Sequence, residues 1–400
     1  MIPDTFRSLR KFNYRLYAGG AFVSNVGTWM QRIAQDWLVL TQLTDHNATA
    51  VGVVMSLQFG PQIVLMPWTG WAADSFDRRK LLMFCQALMG LLALGLGLLT
   101  VRGMARLEHV YFFALMLGCV AAFEFPARQA FVSEMVDEVD LSNAVALNSS
   151  SFNAGRLIGP AAAGLLIPVL GTGGVFLVNA VSFAGVLAAL ANLRVHELRA
   201  AVRGPRTRLL DGFRYVWARP DLKAMLLMLF LVSTFGLNFP IFISTMAVSV
   251  FHVGSDQFGL LTSLMAIGSV SGALLSAQRD RPRPELLWAG AGLFGLGCTL
   301  AALMPVYVLF GLTLMLIGIS AQTFTTTING CVQMSTEPAM RGRVMAILLA
   351  MAWGGTPIGA PLVGWVADHL GARWALGVGA VAGLSAALVG WRWLRRTTEA

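Results

Sequence analysis

Charged side chains interrupt the long apolar runs of this sequence at only a few places, and these residues could carry chemistry. Arg32 and Asp36 stand four residues apart in one run, and Glu124 and Arg128 stand four apart in another. On a helix this spacing places both members of a pair on one face. A carboxylate there can bind and release a proton, and a charge inside a bilayer costs at least about 2.5–3.5 kcal/mol. We therefore select Asp36 and Glu124 as candidates for proton coupling.

Each pair also has an explanation without any role in function, because opposite charges one helical turn apart neutralise each other. In the second half of the chain the apolar runs hold only amides at depth, such as Asn238, Gln322 and Asn329. A proton carrier is therefore expected in the first half, and Asp36 is the preferred candidate.

Arg156 is a further charge inside an apolar run. It follows Asn153 and Ser149 at helical spacing, which predicts a polar stripe along one helix. We expect the substrate cavity to be lined by Arg32, Asn153 and Arg156.

The composition explains why these charges stand out. Of the 400 residues 56% are hydrophobic and 12% are charged, and the mean hydropathy is +0.68. Soluble domains contain about 25% charged residues, whereas a membrane-spanning helix needs about 20 apolar residues in succession. The sequence therefore predicts an all-α polytopic membrane protein.

Twelve apolar runs are predicted to span the membrane, six on each side of a polar stretch. They begin near Tyr14, Ala50, Leu81, Val110, Asn143, Gly174, Leu222, Gln257, Leu286, Val306, Val344 and Trp374. We expect two six-helix halves, residues 1–194 and 222–400, joined by a cytoplasmic central loop, residues 195–221. Within the loop, Leu209, Leu210, Phe213 and Trp217 line one face of a short helix that should lie at the membrane surface.

The distribution of basic residues predicts the orientation. Of the 29 Lys and Arg residues, 23 fall on the side of the N-terminus and three on the other, with three within or at the ends of spans. Both termini are therefore expected in the cytoplasm. The first run is too long for a signal peptide and lacks a small-residue cleavage site, so it should remain as the first span.

Glycines repeat between the two halves at an offset of 200 residues. The matching pairs are Gly155 with Gly355, Gly159 with Gly359, Gly164 with Gly364, and Gly171 with Gly371. Tandem halves are typical of transporters. Gly155, Gly159 and Ala163 are spaced by four, which predicts a smooth stripe for close helix packing. We select Gly155, Gly159, Pro160 and Gly164 as the helix-packing motif.

The stretch "GWAADSFDRRKLL", residues 70–82, concentrates charge between the second and third spans. Gly70 should permit close packing, and Asp74 should sit at a helix end. The bases at Arg78 and Arg79 can be explained as a signal that keeps the loop in the cytoplasm. The alternative is a cytoplasmic gate that is closed in the outward-facing state.

In such a gate Asp74 would approach the start of the eleventh span near Gly342 and Arg343, where backbone N–H groups favour an anion. Arg78 would reach Glu124.

This loop resembles the signature of the major facilitator superfamily, G-x-x-x-D-[RK]-x-G-[RK]-[RK]. The positions that match are Gly70, Asp74, Arg78 and Arg79. Ser75 replaces a base, and Asp77 replaces the second glycine, a position that Asp tolerates if the backbone is left-handed.

Longer stretches resemble one bacterial branch of that superfamily, the enterobactin-exporter-like or transmembrane secretion effector group of drug and siderophore exporters. They are "FNYRLYAGGAFVSNVGTWMQRIAQDWLVL", "PARQAFVSEMV", "LSNAVALNSSSFNAGRLIGPAAAGLL" and "DGFRYVWARPDLK". The stretch "GRLIGPAAAGLL" resembles the glycine–proline motif of superfamily antiporters. Such antiporters carry an arginine four residues before a glycine in the fourth span. Here Ala114 stands at that position, four residues before Gly118.

The resemblance implies a proton-coupled secondary exporter of amphipathic organic compounds, acting as a monomer in the bacterial cytoplasmic (inner) membrane without a cofactor. An uptake symporter or a lysolipid flippase of the same fold is the alternative.

An enzyme is not expected, because the sequence has no HExxH, nucleophile elbow or GxxxxGK[ST] motif. The bases lie between apolar runs rather than on an aromatic-studded face, so the net charge of +9 does not indicate nucleic-acid binding. The four cysteines have no CxxC spacing, so neither a disulfide nor a metal site is expected.

Overall fold

The computed structural model describes residues 4–199, 209–278 and 283–398. Within these residues the chain is helical and contains no strand. Nine helical segments of the described residues are long and apolar enough to cross a membrane. They are Arg78–Val101, Leu107–Val132, Glu138–Ala191, Pro220–Val250, Ser255–Ser276, Glu285–Leu303, Tyr307–Ser335, Met340–Leu370 and Ala372–Trp393. The prediction of a polytopic, all-helical membrane protein is therefore confirmed.

The helices of the first part of the chain follow a short 3-10 helix, Asp4–Arg10. They are α1 (Phe12–Leu38), α2 (Ala48–Val64), α3 (Met66–Ser75), α4 (Arg78–Val101), α5 (Leu107–Val132) and α6 (Glu138–Ala191). A π-helical turn, Val39–Leu43, extends α1. Helix α6 is interrupted at Gly171, whose φ of 69° and ψ of 170° are not helical. This backbone suits glycine, which has no Cβ to clash.

A 3-10 turn, Val195–Glu197, leads out of α6, and the remaining helices begin at Leu209. They are α7 (Leu209–Ala218), α8 (Pro220–Leu231), α9 (Phe239–Thr245), α10 (Ser255–Ala277), α11 (Glu285–Leu303), α12 (Tyr307–Ser335), α13 (Pro338–Gly354), α14 (Thr356–Leu370) and α15 (Ala372–Thr398). Gly371, between α14 and α15, has a φ of 102°, so it repeats the left-handed break at Gly171.

The segment from α8 to α9 is irregular. A π-helical turn, Val232–Gly236, follows α8. The backbone of Asn238 is not helical, and Pro240 is the second residue of α9. Asn238 is fully buried, and its Nδ2 donates to the Thr234 carbonyl at 2.8 Å. The side chain thereby satisfies a carbonyl that the break releases.

The short helix expected in the central loop is present as α7. Phe213 is 54% exposed and Trp217 is 77% exposed on it. The side chains of Leu209 and Leu210 lie outside the described residues. Within its unit α7 packs on α13, because a Cβ at Gly212 would lie 2.9 Å from the Cβ of Arg343.

The chain forms two compact units. Unit 1 comprises Met1–Leu43 and Gly60–Gly204, and unit 2 comprises Thr44–Phe59 and Pro205–Ala400. Helix α2 therefore begins in unit 2 and ends in unit 1. In unit 1, α6 packs along α1 and α4. One apolar core, near the start of α1, is built around Tyr14, Phe131 and Leu190.

Candidate functional site

The first charged pair lies near the end of α1. Asp36 is 6% exposed, and the guanidinium carbon of Arg32 lies 4.7 Å from the ring centroid of Trp29. A cation over the face of an indole is stabilised by the ring's negative potential. The π-helical turn starts three residues after Asp36. Such turns often occur at functional sites in helices.

Amide side chains surround this part of α1. Gln31 Oε1 accepts from Asn179 Nδ2 at 2.6 Å, and Ser182 Oγ donates to Asn179 Oδ1 at 2.8 Å. Gln35 is 1% exposed, and its Nε2 has no hydrogen-bond partner among the described residues. Gln31, Gln35 and Asp36 are all buried, so this end of α1 places several polar side chains inside unit 1.

The second charged pair is the centre of a buried polar network. Arg128 Nε lies 3.3 Å from Glu124 Oε1 on α5. Gln86 Nε2 on α4 donates to the same Glu124 oxygen at 3.2 Å. Both members of the pair are buried, so the hydrogen bonds partly replace the water that each charge has lost.

Arg128 extends this network to α1 and α6. Its Nη1 donates to Asn25 Oδ1 at 3.2 Å, and Asn25 Nδ2 donates to Ser151 Oγ at 3.1 Å. Phe152 lies 5.8 Å from the Arg128 guanidinium and packs edge-to-face on Trp29 at 5.6 Å. One aromatic pair therefore contacts both Arg32 and Arg128.

The remaining cavity candidates lie on α6. Asn153 is exposed, and its Nδ2 donates to the Ser149 carbonyl at 2.9 Å. Arg156 lies almost one turn further along the helix and is half-buried. The structure places these two residues on the helix that also supplies Ser151 to the network.

The glycine stripe of α6 lies where α1 crosses it. A Cβ at Gly155 would lie 3.0 Å from the Asn25 carbonyl carbon, and a Cβ at Gly159 would lie 2.6 Å from the Trp29 Cβ. Pro160 and Gly164 are buried on the same helix. This close approach sets the distance at which Asn25 can reach α6.

In the loop after α3 the structure differs from two expectations. Arg78 Nη1 lies 2.8 Å from Glu134 Oε1, and the expected contact with Glu124 is wrong. Arg78 begins α4 and Glu134 follows the end of α5, whereas Glu124 lies ten residues deeper, about 15 Å along the helix. Asp77 has extended backbone, with φ −62° and ψ 115°, instead of a left-handed one. Its side chain caps α4 by accepting from Lys80 N at 2.9 Å.

Other loop residues have defined positions. Arg79 donates to the carbonyls of Leu190 and Ala191 at 2.7 and 3.0 Å, and these are the last residues of α6. Unpaired carbonyls at a helix end favour such a cation. Among the described residues, no atom lies within 4 Å of the position that a Cβ at Gly70 would take, so close packing is not seen there. The Asp74 side chain lies outside the described residues, and Arg343 Nη2 lies 4.0 Å from Asp211 Oδ2.

Burial raises the pKa of the Glu134 carboxyl, and the hydrogen bond and charge of Arg78 oppose that increase. Among the described residues, no group of three His, Cys, Asp or Glu side chains could hold a metal ion.

The family model described as transmembrane secretion effector matches residues 4–400. The chain belongs to this family. It is a membrane transporter of the major facilitator superfamily with a secondary transport function, and it is not an enzyme.

Relatives of this transmembrane secretion effector cover most of both chains. The staphyloferrin A transporter of Staphylococcus aureus is 25% identical over 89% of this chain and 90% of its own. The enterobactin exporter EntS of Shigella flexneri is 29% identical over 82% and 78%. The multidrug efflux pump Tap of Mycolicibacterium fortuitum is 26% identical over 88% of each chain.

A solved structure supports the fold. A bacterial homolog of the human lysosomal transporter Spinster, in an inward-facing and unoccupied conformation, aligns with a TM-score of 0.73. It covers 95% of each chain at 14% sequence identity. At this identity the likeness shows the fold alone.

Sequence reasoning did not select Asn25, Gln86, Ser151 and Asn179, although each is a polar residue inside an apolar run. Their signal is weak singly, because an uncharged side chain in a span can bond to its own helix. Only the crossing of α1, α4, α5 and α6 shows that they bond across helices.

Proposed function

We propose that this transmembrane secretion effector is a proton-coupled exporter of amphipathic organic compounds, including drugs and siderophore-like molecules. The observation that carries the proposal is the buried acid Asp36 on α1, in a family whose relatives include a named exporter and a named efflux pump. A buried carboxylate that meets water in only part of a transport cycle can bind a proton in one state and release it in another.

The proposed architecture is twelve transmembrane helices in two six-helix halves, residues 1–194 and 222–400, linked by residues 195–221. Both termini lie in the cytoplasm, and the protein works as a monomer in the bacterial cytoplasmic membrane. The excess of basic residues on the side of the N-terminus supports this orientation. Reporter fusions after Thr100 and after Arg203 should report outside and inside. The same side for both would refute the topology.

In this proposal Asp36 accepts the proton, and Arg32 is the positive charge beside it. Glu124 is the second candidate, but its carboxylate already pairs with Arg128 and accepts from Gln86, which supports a structural role. Arg32, Asn153 and Arg156 contribute to the substrate cavity, where Arg156 can meet an anionic group.

The proposed cytoplasmic gate consists of Gly70, Asp74, Arg78 and Arg79. Arg78 and Arg79 hold the loop to Glu134 and to the end of α6. Asp74 is then presented to the start of α13, near Gly342 and Arg343, when the cytoplasmic side closes.

A dye- and drug-efflux panel in an exporter-deficient bacterial host tests the function. Cells that express the chain should retain less of several amphipathic compounds than cells with an empty vector, and a protonophore should abolish the difference. Higher retention would indicate the uptake alternative. Movement of lysolipid alone between the leaflets would indicate the flippase.

A further inference from the structure

The end of α14 is bonded to the start of α2. Asp368 Oδ1 accepts from the Ala48 backbone N–H at 2.7 Å, and Asp368 Oδ2 accepts from the Thr49 backbone N–H at 2.8 Å. The Thr49 hydroxyl also donates to Oδ2, at 2.5 Å. All three residues belong to unit 2. We call these contacts the α2 cap.

The first N–H groups of a helix have no partner within the helix, and the helix dipole favours an anion beside them. The chain before α2 supplies one local partner, because Asn47 Oδ1 accepts from Ala50 N at 2.8 Å. The other two N–H groups are satisfied by a carboxylate about 320 residues away. The start of α2 is therefore complete only while α14 lies beside it.

The two helices also approach closely below the α2 cap. A Cβ at Gly364 would lie 2.8 Å from the Thr49 Cα, and a Cβ at Gly52 would lie 2.9 Å from the Pro361 Cα. Ser56 Oγ donates to the Pro357 carbonyl at 2.7 Å. The seam thus follows the first turns of α2, and its apolar members are small enough to let the backbones touch.

The position of the Asp368 carboxylate suits a contact that breaks and forms again. Asp368 is exposed, so after release it is solvated by water and leaves no buried charge. Ala48 is 1% exposed, so opening the seam uncovers the start of α2.

The sequence around Asp368 repeats that of the proposed cytoplasmic gate. Residues 67–74 and 361–368 both read P-x-x-G-W-x-A-D. In each, the acid lies near the C-terminal end of a helix, α3 or α14. Asp74 is proposed to approach the start of α13, and Asp368 is seen at the start of α2. Asp74 ends the segment formed by α2 and α3 and is assigned to the start of α13. Asp368 ends the segment formed by α13 and α14 and lies at the start of α2.

We propose that Asp368 is a positioning residue of the transport cycle, which closes the extracytoplasmic side by capping α2 and must release it for that side to open. The Asp74 contact and the α2 cap lie at opposite ends of the same two helical segments, so they form alternately. This inference rests on the proposed export function for its orientation, with the start of α2 outside.

Cysteine accessibility tests the proposal. In a variant without the four native cysteines, Ser56→Cys places a thiol in the seam with little change in size. Intact cells are treated with a membrane-impermeant maleimide, and the labelling rate is measured. Asp368→Asn removes the charge and one of the two acceptor oxygens, so it should increase this rate about fivefold, the factor expected for loss of about one hydrogen bond. Thr49→Val, which removes one of the three bonds, should give a smaller increase.

Asp256→Asn is the matched control, because it removes an exposed acid from the first turn of α10 and should leave the rate unchanged. Asp368→Glu should restore a rate near that of the parent. An unchanged rate in Asp368→Asn overturns the proposal. If that variant is not inserted, an unchanged rate in Thr49→Val overturns it.

Labelling needs no substrate, so it can succeed where the efflux panel fails. If Asp368→Asn increases labelling only in inverted vesicles, the α2 cap stands and the proposed orientation fails.

Discussion

Arg78 and Glu134 form an ion pair of 2.8 Å between the start of α4 and the loop after α5. Both side chains are largely buried, so the pair ties the motif-bearing loop to the end of α5 inside unit 1. The loop is thereby positioned by a residue outside the motif itself.

We expect Arg78→Gln and Glu134→Gln to be coupled by about 0.5–3 kcal/mol in a double-mutant cycle, because the two side chains contact each other. Thermal unfolding of the purified protein in detergent measures the coupling. The control cycle pairs Arg78→Gln with Glu124→Gln and should give a clearly smaller value. Equal coupling in both cycles would contradict the assigned pairing.

The same pair predicts a pH dependence. Burial raises the pKa of Glu134, so its protonated form is favoured in the folded state and the contribution to stability is lost as pH rises. Without Arg78 the ionised carboxylate has lost this partner. The stability deficit of Arg78→Gln should therefore be larger at pH 8 than at pH 5, and adding Glu134→Gln should remove that difference.

Asp74→Asn should reduce transport while protein level and membrane insertion stay normal, because an amide is a weaker partner than a carboxylate for a helix start. Efflux rate per inserted molecule is the measurement, and Asp77→Asn, which changes the local cap of α4, is the control. Normal transport in Asp74→Asn would leave this loop with a role in topology only.

Asp36→Asn should abolish proton-driven efflux and retain substrate binding, because the amide cannot exchange a proton. Efflux into a pH gradient and equilibrium binding to purified protein are measured together. Asp36→Glu, which keeps the acid, should retain part of the transport. If Asp36→Asn still concentrates substrate against a gradient that a protonophore collapses, Glu124 becomes the candidate.

Arg156→Ala should weaken the binding of acidic substrates about tenfold, as expected for loss of a hydrogen bond to a charged group. Neutral substrates should be affected much less. Arg156→Lys keeps the charge and serves as the control. An equal loss for acidic and neutral compounds would assign Arg156 to folding or packing.

Asp137 joins the N-terminus to the segment after α6, since its carboxylate pairs with Lys11 and with Arg199. The hydrogen bond from Lys11 lowers the pKa of Asp137 from its ordinary value of 3.8, and the same bond raises the pKa of Lys11. The contribution of Asp137 to stability is thus present above its ordinary pKa and lost as pH falls through the lowered one. The contribution of Lys11 is lost only as pH rises through its raised value.

The difference in unfolding temperature between the natural protein and Asp137→Asn should therefore be constant near neutral pH and vanish in strong acid. Because these groups are exposed, added salt should also reduce it. A difference that persists in strong acid would show that the carboxylate charge is not its cause.

Much of the fold could be predicted from local sequence patterns. The length of the apolar runs predicted membrane helices, and the four-residue spacing placed Glu124 beside Arg128, at 3.3 Å. The apolar face of α7 could also be predicted, because the helical period acts over a few residues.

The residues that individual side chains contact could not be predicted in this way. Arg78 bonds Glu134 because α4 starts beside the end of α5, and Arg128 reaches Asn25 because α1 crosses α5 and α6 within unit 1. Asp77 could have been a left-handed turn residue, but the start of α4 made it a cap.

By itself the sequence determined which segments are helices in a membrane and which charges lie within them, because hydropathy and helical period depend on neighbours along the chain. Only the tertiary structure decided that Asp368 caps α2 and that Glu124 accepts a hydrogen bond from Gln86 on α4. A contact across 320 residues depends on how helices pack, and the packing energy is distributed over many side chains of which none has a local signature.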